Sequence, residues 1–208
     1  MMNKLRLTCI FALVFASNSS HAMEANTDYF DPNATSDYYA HVQVVEAYHL
    51  GQAITKLSER RVSAKDDLDF ILRHFPNHPK ALALMVEYGK QQKDPGIALP
   101  YYQKAVELNP KIASIWSDYG AYQHELKNYD DAIFCFKKAV ELKPKNGLYQ
   151  YNLGLALFEK KDYVGAQDAA NQARDFGIPY TALQAKLDAL KKPVADPSKA
   201  KAKVKAKK

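Results

Sequence analysis

The feature that most constrains this chain is a period of 34 residues. In the stretch from Trp116 to Pro144, the residues Ala132, Phe136, Ala139 and Pro144 recur when the register is moved back by 34, as Ala98, Tyr102, Ala105 and Pro110. Moving forward by 34 from Gly120, Ala132 and Ala139 lands on Gly154, Ala166 and Ala173. Self-similarity at such an interval marks a repeat array, in which each unit buries its apolar face against the next and none is stable alone.

Each unit reads as two helices, because its apolar residues fall at spacings of three and four. Residues 79–112 carry Leu82, Met85 and Val86, then Ala98, Tyr102, Ala105 and Leu108. Residues 113–146 carry Ile115, Trp116, Tyr119 and Gly120, then Ala132, Phe136, Ala139 and Leu142. Residues 147–180 carry Leu153, Gly154 and Leu157, then Ala166, Ala170 and Ala173. Asp94, Asn128 and Asp162 stand one period apart, each ahead of a second helix. There a side-chain oxygen can accept from a free first-turn amide, an effect of about 1 kcal/mol each. On this reading the second helix of the first good unit starts at Asp94-Pro95. Pro76, Pro110 and Pro144 stop one unit, Asn77 and Asn146 are placed to cap the next, and Pro79 suits a first helical position. Gly120 and Gly154 are expected to face Ala132 and Ala166, so that paired helices approach closely. Trp116, Tyr102 and Phe136 fill the wider gaps between units.

The order small, aromatic, small, Pro at this period resembles the tetratricopeptide repeat, a helix–turn–helix unit. The resemblance spans residues 79–180 and extends, with most small positions lost, to 45–78. It implies an all-α fold: a right-handed superhelical solenoid of helix–turn–helix repeats with a C-terminal capping helix. That helix is read over 181–191 from Leu183, Ala185, Leu187 and Leu190, and its role is to cover the last unit's apolar face. Ahead of the good units, residues 37–78 read as a degenerate helical repeat. Its first helix starts near Asp37 and is interrupted at Gly51; its second runs from about Ser63 to His74. Residues 79–192 then hold the three repeats and the cap.

The ends read differently. Lys4 and Arg6, a short apolar run from Leu7 to Phe15 and small residues around Ser20-His21-Ala22 read as a signal peptide over 1–22. The apolar run is too short to span a membrane, so the exported chain is expected to be soluble and periplasmic in a bacterial envelope. Residues 23–36, rich in Asn, Asp, Thr and Ser, read as an extended or disordered lead-in. The tail 193–208 is Lys/Ala-rich and, by composition, disordered. It carries most of the basic charge. The chain has 29 Lys and Arg against 23 Asp and Glu, a net +6, yet eight lysines from Lys191 onward leave residues 23–190 net negative. Only Cys135 remains beyond the leader, so no internal disulfide forms, and the fold rests on packing.

Catalytic constellations are not evident. The sequence shows no phosphate-binding loop, no G-x-S-x-G elbow, no dinucleotide fingerprint and no CxxC. His74 and His78 have the spacing of a metal pair, but Pro76 lies between them, so a capping role is the simpler reading. Asp66, Asp67 and Asp69 stand near a helix start, where they complement its dipole. No cofactor or metal is expected, and the chain reads as non-enzymatic.

The resemblance implies that first helices line a concave groove for an extended peptide or a partner helix. Helical spacing places Ala83, Glu87, Ser117, Ala121, His124, Tyr151, Leu155 and Phe158 on that face. The carboxylate clamp of one subfamily is not reproduced: its places hold Ala83, Glu87, Asp118, Leu148 and Asn152. Tyr151, Leu155 and Phe158 either form an apolar floor for a partner or lie beneath the C-terminal helix. The function that follows is a protein-binding scaffold in the cell envelope. In the alternative, the basic tail engages anionic lipid or an envelope polymer; nucleic acid is a poor match for an exported chain.

Overall fold

The structure, a computed structural model, describes residues 27–179 and 182–191. The signal peptide, the start of the lead-in and the Lys/Ala-rich tail lie outside the described residues. The secondary structure of the described residues is helical: α1 (Ser36–Val45), a π-helical turn (Glu46–Leu50), α2 (Gly51–Ser58), α3 (Ala64–His74), α4 (Pro79–Gln92) and α5 (Leu99–Leu108). Then come α6 (Ala113–Glu125), α7 (Tyr129–Leu142), α8 (Gly147–Glu159), α9 (Tyr163–Asp175) and α10 (Ala182–Lys191). No strand occurs among the described residues, and none of their helices is long and apolar enough to cross a membrane. Pairs α6/α7 and α8/α9 pack most extensively, with α7 also laid against α8, which makes a helical repeat solenoid.

One turn recurs between the two helices of every unit. Arg60, Lys93, Lys127 and Lys161 all adopt left-handed backbone, with φ between 56° and 65°. Each is followed by an amide that reaches back five residues. Asn128 N donates to Gln123 O at 2.9 Å, Asp162 N to Leu157 O at 3.0 Å, Asp94 N to Gly89 O at 2.9 Å and Arg61 N to Lys56 O at 2.8 Å. This satisfies carbonyls that the helix end leaves free. Glycine usually takes this position; basic side chains here instead meet the negative end of the helix dipole.

The core follows the 34-residue stripes. Ala81, Met85, Ala98, Ala105, Ile115, Ala132, Ala139 and Ala166 are fully enclosed, and Tyr102 and Phe136 nearly so. Burying a side chain the size of Phe136 contributes roughly 2–3 kcal/mol. Tyr102 stacks on Tyr119 at 5.3 Å between ring centroids. The Tyr122 hydroxyl accepts from Ala98 N at 3.1 Å and donates to Pro95 O, which ties α6 to the preceding turn. Trp116 is only half-buried; its Nε1 donates to Pro110 O at 2.8 Å.

Several local expectations give way. The nearest neighbour of Gly120 is the ring of Phe136, whereas Gly154 does meet the Ala166 backbone, with Leu183 and Ala169 closer still. Asp162 caps α9 through Gly165 N at 2.9 Å, and Asn146 caps α8. Asn128 does not cap α7, because its amide donates to Gln123 Oε1 at 3.0 Å. Asp94 does not cap α5: turns at Asp94–Ile97 and Gly96–Leu99 delay that helix to Leu99. Asn77 is not the cap of α4. That role falls to His78, whose Nδ1 accepts from Ala81 N at 3.2 Å.

The N-terminal unit differs most. Gly51 does not interrupt its first helix, since the backbone stays helical through the π turn from α1 into α2. The described part of the lead-in, residues 27–36, is held in place. Thr27 N donates to His74 O at 2.7 Å and Tyr29 N to Asn77 Oδ1 at 2.9 Å. The Asp28 carboxylate accepts from Asn77 and Asn109, both at 2.6 Å. Tyr29 and Phe30 pack on the core, so the expectation of disorder fails for this stretch because long-range partners supply what composition lacks.

Candidate functional site: the concave face

The first helices α4, α6 and α8 are brought side by side by the repeat, and α10 follows them in the same series. On α4 and α6, Ala83, Glu87, Asp118 and Ala121 are exposed. Between them, Lys90 of α4 and Glu125 of α6 join at 2.7 Å, a bridge across units. Asp118 is open to solvent yet flanked by protein, and loss of water on its sides raises its carboxyl to about 6. Two polar atoms at the ends of these helices, Gln91 Oε1 and His124 Nε2, are enclosed without a hydrogen-bond partner. His124 lies edge-on to Tyr129, with centroids 5.3 Å apart.

The predicted face is therefore split. Glu87 and Ala121 lie in the open where the spacing puts them. Ser117 does not: it is 5 % exposed, closed off between units, and offers a partner no surface. Tyr151, Leu155 and Phe158 are half-buried and pack with Leu183 and Leu187 of α10 against Ala166 and Ala170. Lys186 lies over the Phe158 ring at 5.2 Å and reaches Glu159 at 3.3 Å. Of the two readings of that apolar floor, the structure shows cover by α10. Sequence reasoning missed Lys90, Gln91 and Glu125. Lys90 shares the register position of His124 and Phe158, while Gln91 and Glu125 share the next one, with Glu159.

The titratable clusters elsewhere are structural. Asp67, 7 % exposed, holds Lys56 at 2.6 Å and His49 at 3.0 Å. Asp69 holds Lys65 at 2.5 Å and accepts from Tyr101. Burial pushes the Cys135 thiol up to about 12, which leaves it neutral and unreactive. No cluster of three or more metal-ligating side chains occurs among the described residues.

Family profiles described as tetratricopeptide repeat match residues 79–112 and 101–134, and one described as TPR repeat matches 123–161. Residues 79–161 are tetratricopeptide repeats. Among solved structures, PilF of Pseudomonas aeruginosa is similar, with 20 % identity, 70 % of this chain and 68 % of that one covered, and a TM-score of 0.55. MamA is similar at 18 % identity, over 66 % of this chain and 85 % of that one, with a TM-score of 0.50. A second MamA structure, AMB-1, gives 21 % identity, coverage of 72 % and 87 %, and a TM-score of 0.50. At these identities the likeness is one of fold. No curated protein matches the sequence. Tetratricopeptide repeats mediate binding to other proteins, and the chain is a protein-interaction scaffold in that general sense.

Proposed function

We propose that this scaffold is non-enzymatic and receives a peptide or helix from another protein on the concave face of α4 and α6. The observation that carries the reading is the contrast along that face. At α8 a helix of the chain itself, α10, already covers the apolar side chains, whereas on α4 and α6 the small Ala83 and Ala121 and the acidic Glu87 and Asp118 remain exposed. Small residues let a partner backbone approach, and the two carboxylates favour a partner with a basic side chain opposite them. Enclosed Gln91 Oε1 and His124 Nε2 add polar atoms at the helix ends that a partner donor can satisfy.

A photo-crosslinking residue at Ala121, compared with one at the exposed outer residue Lys137, tests this in the native host. Adducts at Ala121 that vanish with Glu87→Lys support it. Equal adducts at both positions, or none at Ala121, overturn it.

The leader over 1–22 supports export to a bacterial periplasm, which N-terminal sequencing of the mature protein checks. A second reading rests on charge segregation: the basic tail against a net-negative body favours contact with anionic lipid or polymer. Sedimentation with anionic vesicles, with and without residues 193–208, decides that reading; equal pelleting removes it.

A further inference from the structure

Among the described residues, the array ends on a first helix, α10, with no second helix after it. Leu183 and Leu187 of α10 pack on Ala166 and Ala170, as Leu153 of α8 packs on Ala132 and Phe136. Helices α4, α6 and α8 are each followed by a second helix, α5, α7 and α9, and α10 runs to Lys191. The consequence shows at one register position. Tyr88, Tyr122, Ala156 and Leu190 stand 34 residues apart, and their exposures are 6 %, 4 %, 0 % and 53 %. Leu190 and Leu187, with Tyr163, Val164, Gln167 and Asp168 of α9, line an open apolar groove of about 350 Å³. The chain leaves α10 beside it.

We propose that residues 196–206 are the second helix of a fifth, shortened repeat and dock in this groove. The register that organises the array continues into the tail. Asp94, Asn128 and Asp162 are followed, at the next interval of 34, by Asp196. The pair Asp94-Pro95 reappears three periods on as Asp196-Pro197, a capping residue followed by a proline suited to a first helical turn. Ala98, Ala132 and Ala166 are continued by Ala200, and Tyr102, Phe136 and Ala170 by Val204. Those preceding residues are the ones that second helices turn inward.

Composition hides this signal, because the intervening residues are Lys and Ala. They suit a helix, but one this short is marginal in isolation. The groove supplies the missing burial for Ala200 and Val204. Asp168 lines it, and half-buried Asp188 stands at the register position of Gly120 and Gly154, so carboxylates meet the lysines of the segment. Lys207 replaces the inward Ala139 and Ala173, which sets the end of the docked helix. This proposal is independent of what the concave face binds.

Hydrogen exchange on the full chain tests it. The comparison set is a chain ending at Lys192, Val204→Asp, and Lys205→Gln at the position of exposed Lys137. The expected result is protection of amides 200–205 and exchange in α10 about ten-fold slower than in the truncated chain. Val204→Asp is expected to abolish both effects and Lys205→Gln neither. Unprotected tail amides in the full chain, or α10 exchange unchanged by truncation, overturn the proposal. So does protection that rises with protein concentration, which assigns the groove to a second copy.

Discussion

A β-carbon added to Gly120 would lie 2.8 Å from the ring of Phe136, inside the van der Waals contact distance of a buried aromatic. Phe136 is 2 % exposed and has no room to withdraw. Gly120→Ala gains about 0.5–1 kcal/mol of helix propensity but forces overpacking that costs roughly 1–3 kcal/mol, so the loss dominates. The urea midpoint of Gly120→Ala is expected to fall. Phe136→Leu in the same chain is expected to recover part of the loss, with a measurable coupling energy. An unchanged midpoint for the single variant contradicts this placement.

The period and its inward stripes were legible because packing between units imposes them, and Ala132, Ala139 and Ala166 are enclosed where the register puts them. Caps were less legible, because they depend on the residues three and five positions away. Asp162 caps because Gly165 leaves its carboxylate room: a β-carbon there would lie 2.7 Å from Asp162 Oδ2. At the same step after Asn128 stands Asp131, and Gln123 captures the Asn128 amide instead. The lead-in was illegible by composition, since its partners lie 48 and 81 positions away. For the candidate site, spacing placed Glu87 and Ala121 in the open but had no means of showing that α10 settles on Tyr151, Leu155 and Phe158.

The left-handed lysines offer a stabilising change. Lys127 adopts φ 62°, a conformation that disfavours residues with a β-carbon. Lys127→Gly is expected to raise stability by about 0.5 kcal/mol, the relief of strain exceeding the entropy glycine adds to the unfolded chain and the lost dipole contact. Gly177, at φ 92°, runs the other way, and Gly177→Ala is expected to lower the thermal midpoint. Thermal melts of the two variants beside the parent check both signs.

Asp28 pins two inter-repeat loops to the lead-in. Asp28→Ala removes the acceptor for Asn77, which is 0 % exposed, and for half-buried Asn109. A buried donor left without a partner costs about 1–3 kcal/mol, so the variant is expected to lose about that much or slightly more. Asp31→Ala, which gives up only a bond to exposed Asn33 N, is expected to change stability by less than about 0.5 kcal/mol. Denaturant titrations that rank the two equally would remove the pinning role.

His78 makes the fold sensitive to acid. It is 1 % exposed, its Nδ1 caps α4, and its Nε2 lies 3.1 Å from a carboxylate oxygen of Glu46, with the Tyr29 ring tilted against it at 4.5 Å between centroids. Burial lowers its pKa from 6.5, and this outweighs the raising effect of Glu46. Burial also lowers that of His41. A histidine whose folded pKa is depressed contributes stability that is present above about 6.5 and is lost as pH falls toward the folded value, because the unfolded chain takes up the proton first. Asp118, raised to about 6, acts in the opposite sense: its desolvated carboxylate is relieved as pH falls through 6. His78→Asn keeps a side chain able to cap and removes the titrating ring. Urea midpoints at pH 7.5 and 5.5 are therefore expected to fall further for the parent than for His78→Asn, and identical pH dependence in the two proteins would show that His78 is not the group responsible.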